Sequence, residues 1–186
     1  MAHPAAAAAT QGDRRMADHY PYRITTRTGD LLLIWRLGEG HDPDRLIVDG
    51  RGRLRTFPDV AAMRQCCRRN GWELVWEDGE DTAALDLAAV RRWMQHPRDA
   101  PVREVLLLDT WNFFEDLSRS VATGTPLPEQ GPVHNSAYDK LFGGTALDPT
   151  AGDDDSWTDE ETAAVHELLR AGMELWDTAA RESVAD

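Results

Sequence analysis

The stretch Val102–Val121, VREVLLLDTWNFFEDLSRSV, constrains the fold of this chain more than any other. Placed at about 100° per residue, Val102, Val105, Leu106, Leu107, Trp111, Phe113, Phe114, Leu117 and Val121 cover roughly half the circumference of a helix. Asp109, Asn112, Glu115, Asp116 and Arg119 gather on the other half, with only Leu108 among them. A helix so apolar on one side needs a body of other elements to cover it. Trp111, Phe114 and Leu117 are therefore expected in the core. Glu115 and Arg119, at i,i+4, are expected to form a weak pair in solvent.

The residues before it supply part of that body. Tyr22–Thr28 alternates as a strand does, Gly29-Asp30 breaks it, and Leu31–Leu37 (LLLIWRL) is short and apolar enough for a buried strand. In DRLIVDGRGRLRTF two β-rich pieces flank Asp49-Gly50, a hairpin signal. Pro58–Asn70 reads as a helix with Pro58 in its first turn, Val60, Met63 and Cys67 on one face, and Gly71 closing it. Trp72–Trp76 (WELVW) reads as a further strand. Asp86 is placed to cap a helix through Leu87, Val90 and Met94 that His96-Pro97 ends.

After the long helix, residues 122–157 are rich in proline and glycine and read as one long irregular loop. Its compact patch, Tyr138–Gly144, is expected to pin it to the body. The last helix is the best marked, because Thr158 and Glu161 form a capping box in TDEE and Val165, Leu168, Leu169, Gly172 and Trp176 repeat on one face. The order of elements predicts the α+β class: a small, mostly antiparallel sheet from residues 22–77, packed with about four helices. The last two are long, near 102–121 and 158–180, and pack on each other or over the sheet.

At 186 residues the chain suits a single domain, expected over residues 19–186. A disordered Ala-rich tail, 1–18, precedes it, with Met16 as an alternative start to Met1. This start lacks the basic and long apolar regions of a secretory signal, and no apolar stretch reaches the roughly 18 residues a membrane helix requires. A cytoplasmic protein without membrane contact is expected. Lys140 is the one lysine among 20 basic residues, an Arg bias that fits a high-GC bacterial genome.

Charge is unevenly placed. Residues 1–57 carry 9 basic and 7 acidic groups, residues 58–121 carry 8 and 12, and residues 122–186 carry 3 and 14, for a net −13. A C-terminal third at −11 repels nucleic acid and anionic membrane and speeds encounter with a basic protein. The small basic patch at Arg51–Arg55 does not offset that field.

Known catalytic patterns are missing. Gly38-Glu39-Gly40 has no third glycine for a dinucleotide fingerprint, and Lys140 does not follow a phosphate loop. The six histidines are scattered, and Cys66-Cys67 lack partners for zinc, so no metal and no cofactor are expected. Those cysteines read as two small core residues. Asp153-Asp154-Asp155 lacks the glycine and glutamate of a calcium loop, and no serine sits in GxSxG.

Two functions fit what is left. The first is a protein-binding module, a bacterial cytoplasmic inhibitor of the immunity type, whose acidic third covers a basic protein partner such as a nuclease toxin. Asp153, Asp154, Asp155, Asp159 and Glu160 would supply charge and Trp157 an aromatic anchor. The second is an enzyme without a readable motif, in which Asp109, Asn112 and Asp116, at i, i+3 and i+7, line a cleft under the 122–157 loop with Tyr138 and Lys140. The balance of features favours binding over catalysis.

Overall fold

The computed structural model describes residues 18–38, 40–76, 83–96, 102–122, 124–147 and 157–185. Two β-strands, β1 (His19–Thr26) and β2 (Gly29–Arg36), form a hairpin in continuous antiparallel register from His19↔Arg36 to Thr26↔Gly29. The turn is possible because Gly29 sits at φ +125°, open to glycine and strained for other residues. β2 is flanked by the two-residue β3 (Arg45–Leu46), and β1 by β5 (Ala83–Asp86). The sheet order is β3-β2-β1-β5, and β5 runs parallel to β1, so the sheet is mixed, with its other pairings antiparallel as expected.

LLLIWRL is apolar without alternation because both sheet faces are covered. Leu31, Leu33 and Trp35 face the main core, whereas Leu32 and Ile34 face a smaller cluster with Phe57, Met63, Cys66 and Cys67. That second cluster lies under α1 (Val60–Asn70). Asp59 caps α1 by accepting from the Ala62 N–H at 2.8 Å, so Pro58 falls just outside the helix, and Gly71 ends it in the left-handed region. Burial pushes the Cys67 thiol up to about 11, with Cys66 adding to the shift.

The main core is built by α2 (Leu87–Gln95), α3 (Glu104–Ser120), α4 (Pro132–Phe142) and α5 (Asp159–Glu182) on the other side of the sheet. Asp86 ends β5 and caps α2 through the Ala89 N–H at 2.8 Å. Glu115, expected in solvent, is half-buried where the Trp111 indole N–H donates to it at 3.2 Å, while Trp111, Phe114 and Leu117 are fully buried and Arg119 is exposed, as the helical periodicity implies. Val105 departs from it and is 40% exposed near the helix start. α5 has the expected capping box, with Thr158 accepting from the Glu161 N–H at 3.1 Å and Glu161 from the Thr158 N–H at 2.8 Å.

Three expectations need correction. The 122–157 stretch is not all irregular, since α4 occupies its centre with Pro132 at its first position. WELVW is not a strand; it touches the sheet through one isolated bridge, Leu74 to His19. The Asp49-Gly50 hairpin shrinks to a single bridge, Val48 to Leu54. Its far piece, β4 (Arg55–Thr56), pairs in parallel with β6 (Val184–Ala185) after α5. All but Asp18 of the expected Ala-rich tail lies outside the described residues.

Candidate functional site

The polar face of α3 does not all meet open solvent. Asp109, Asn112 and Asp116 line a cavity of about 250 Å³ whose other walls are Tyr20, Pro21, Tyr22, Trp35 and Phe113. The period of two along β1 puts Tyr20 and Tyr22 on one side of the strand, and their register partners on β2 are Trp35 and Leu33. Tyr20 and Trp35 rings lie 5.7 Å apart, and Tyr22 and Phe113 rings 5.9 Å apart. The hairpin thus contributes aromatic walls and α3 the carboxylates.

Each acid is held differently. Asp116 accepts from the Trp35 indole N–H at 3.1 Å and from the Arg119 guanidinium at 2.7 Å. Burial pushes its carboxyl up from the ordinary aspartate value, against the pull of Arg119 and Trp35. Asp109 stands at the exposed edge with no hydrogen-bond partner among the described residues, and partial burial raises it as well. Burial, then the charges of Asp109 and Asp116, raise the Tyr22 phenol far above its usual range. Asn112 is fixed by the Tyr138 hydroxyl, which donates to its Oδ1 at 3.0 Å. Arg119 also bonds Glu115 at 3.4 Å, so one cation is shared by two carboxylates and the cavity stays electronegative.

The other expected site residues lie elsewhere. Lys140 points from α4 to α5, where its ammonium donates to Glu161 at 2.6 Å, joined by the Ser136 hydroxyl at 2.6 Å. Burial alone would raise Glu161, but the bonds from Lys140, Ser136 and Thr158 hold it down to about 2. Trp157 is half-buried against the main core; its indole N–H donates to the Ala146 carbonyl at 3.1 Å, with the Lys140 ammonium 5.5 Å from its ring. Asp159 and Glu160 are exposed in the first turn of α5. Asp153, Asp154 and Asp155 lie outside the described residues. The aromatic half of the cavity was not among the expected site residues. The signal for it was the spacing of Tyr20 and Tyr22 two residues apart, which puts both on one side of a strand that begins before the expected start at Tyr22.

The fold and cavity define a small α+β protein with an aromatic, acid-rimmed recess between a hairpin and a helix. No family model and no curated protein matches the sequence. Among solved structures it is similar to the SatS C-terminal domain, whose crystal structure is in complex with bromine. The TM-score is 0.45 at 16% identity, over 90% of this chain and 94% of that one. No helix among the described residues is long and apolar enough to cross a membrane.

Proposed function

We propose that this chain is a protein-binding module for a basic partner, and that the recess between β1, β2 and α3 receives a cationic side chain of that partner. The observation that carries the reading is the pairing of four aromatic rings, Tyr20, Tyr22, Trp35 and Phe113, with the unpartnered carboxylate of Asp109 in one cavity. A cation over an aromatic face is held at about 0.5–2 kcal/mol, more as water is excluded, and a carboxylate at the rim adds direct charge pairing. The net charge of −13 supports the same partner chemistry through long-range attraction. The finer reading is an inhibitor of the immunity type that acts in the bacterial cytoplasm on a basic toxin. The enzymatic alternative loses its cation, because Lys140 is committed to Glu161.

The test is an amide NMR titration of the full chain with an arginine-rich peptide and, separately, a serine-rich peptide of equal length. The arginine peptide is expected to shift Tyr20–Tyr22 and Asp109–Asp116, and the serine peptide to shift neither. Trp35→Leu with Asp109→Asn should weaken binding about tenfold, the loss of one good charged contact. Shifts spread evenly over the acidic surface, or unchanged in the double variant, would reject the pocket.

A further inference from the structure

At the far end of the hairpin lies a cleft with the opposite chemistry. About 670 Å³ in volume, it separates the β1–β2 turn, the start of α2 and the last turns of α5. Each of these elements sends one guanidinium to it: Arg27 from the turn, Arg91 from α2 and Arg181 from α5. Among the described residues the single carboxylate in its wall is Asp177, and Arg91 holds that at 2.7 Å.

The other two arginines have no acid partner among the described residues. Arg181 donates to the Asp177 backbone carbonyl at 2.9 Å and to the Thr178 hydroxyl at 3.2 Å, which fixes its position without cancelling its charge. Arg27 has no partner among the described residues, at the tip of a turn braced by the Thr26 hydroxyl donating to the Gly29 carbonyl at 2.6 Å. Adjacent acids are engaged elsewhere, Asp30 by Arg23 at 3.9 Å and Asp86 by the Ala89 N–H at 2.8 Å. Arg27 and Arg181 thus bring two positive charges to one cleft with no carboxylate partner among the described residues. Leu31, Leu87 and Trp176 add apolar wall beside them.

We propose that this cleft is a second binding site, for a small organic anion. A carboxylate or phosphate head lies between Arg27 and Arg181, and an apolar body rests on Leu31 and Ala180. A concave site focuses the field of its charges, so two uncompensated guanidiniums attract an anion here despite the negative chain. The volume suits an organic molecule rather than a bare ion. Its chemistry is independent of the acidic recess, and either site can exist without the other.

The full chain is titrated with phenyl phosphate, phenylacetate and neutral 2-phenylethanol, again by amide NMR. One or both anions are expected to shift residues 26–31, 87–91 and 176–181, with the neutral alcohol about tenfold weaker or silent. Arg27→Gln with Arg181→Gln should weaken the better anion about tenfold or more. Both side chains are exposed, so the fold is preserved, and an unchanged amide spectrum elsewhere checks it. Equal affinity for the alcohol, no shifts from either anion, or full binding by the double variant would overturn the site.

Discussion

Gly172 leaves room on α5 for the Phe114 ring of α3; a β-carbon there would run into that ring. The two long helices therefore meet through one missing side chain and one large buried one. Phe114→Ala should cost about 3–5 kcal/mol as a core deletion, read by denaturant unfolding. Gly172→Ala should cost about 1–3 kcal/mol by overpacking. In the Phe114→Ala background the alanine should cost much less, because the clash is gone and helix propensity favours it by up to about 1 kcal/mol. Simple additivity of the two losses would show that the helices do not meet there. Asp109 follows a different logic. Its carboxyl is raised in the folded chain, so above that folded value its ionisation detracts from stability. Asp109→Asn should raise the melting temperature at pH 7 while weakening arginine-peptide binding, the trade expected of a binding residue. A lower melting temperature would mark Asp109 as structural.

Where α4 meets α5, the Lys140–Glu161 contact works as a latch between elements. Glu161 is depressed from 4.5 to about 2, so its contribution is complete above the unfolded value and is lost as pH falls from 4.5 through 2. Lys140→Met should cost about 2–3 kcal/mol at neutral pH, since a charged hydrogen bond is removed from a buried carboxylate. Glu161→Gln should flatten the acid limb of the stability curve. An acid limb identical to that of the parent chain would place the acid sensitivity elsewhere. The same region shows why some elements were legible and others were not. α5 announced itself by the TDEE box, and α3 by nine apolar residues on one face, signals local to each helix. α4 is weakly amphipathic, with only Ala137 and Leu141 buried, and it sits among prolines that suggest a loop. β3, β4 and β6 have two residues each, too few for any periodicity, and the pairing of β4 with β6 depends on contacts across most of the chain. The acids of the recess and Phe113 were visible on α3, but its other three rings came beside them only when the hairpin packed against that helix.

Across the whole molecule, the negative field and the recess have separate origins. The field comes mainly from residues 122–186, with 14 acids against 3 bases, whereas Asp109 and Asp116 belong to the middle third. Remote charge of this kind acts on encounter, because long-range attraction raises the association rate and fades as salt shortens the Debye length to about 8 Å at physiological ionic strength. Contacts inside a desolvated pocket act mainly on dissociation. Replacing Asp153, Asp154 and Asp155 with Asn should therefore slow association of an arginine-rich peptide and flatten its dependence on salt, with dissociation nearly unchanged. Trp35→Leu should do the reverse, raising the dissociation rate at every salt concentration. Trp157→Ala should alter neither rate and instead lower the melting temperature, since that indole is engaged by Ala146 and Lys140 within the chain. Stopped-flow binding at several ionic strengths separates the three. If the triple Asn variant associates as fast as the parent at low salt, the acidic third serves solubility and steers no partner. If Trp157→Ala speeds dissociation while Trp35→Leu does not, the partner sits on the α5 end of the molecule rather than in the recess.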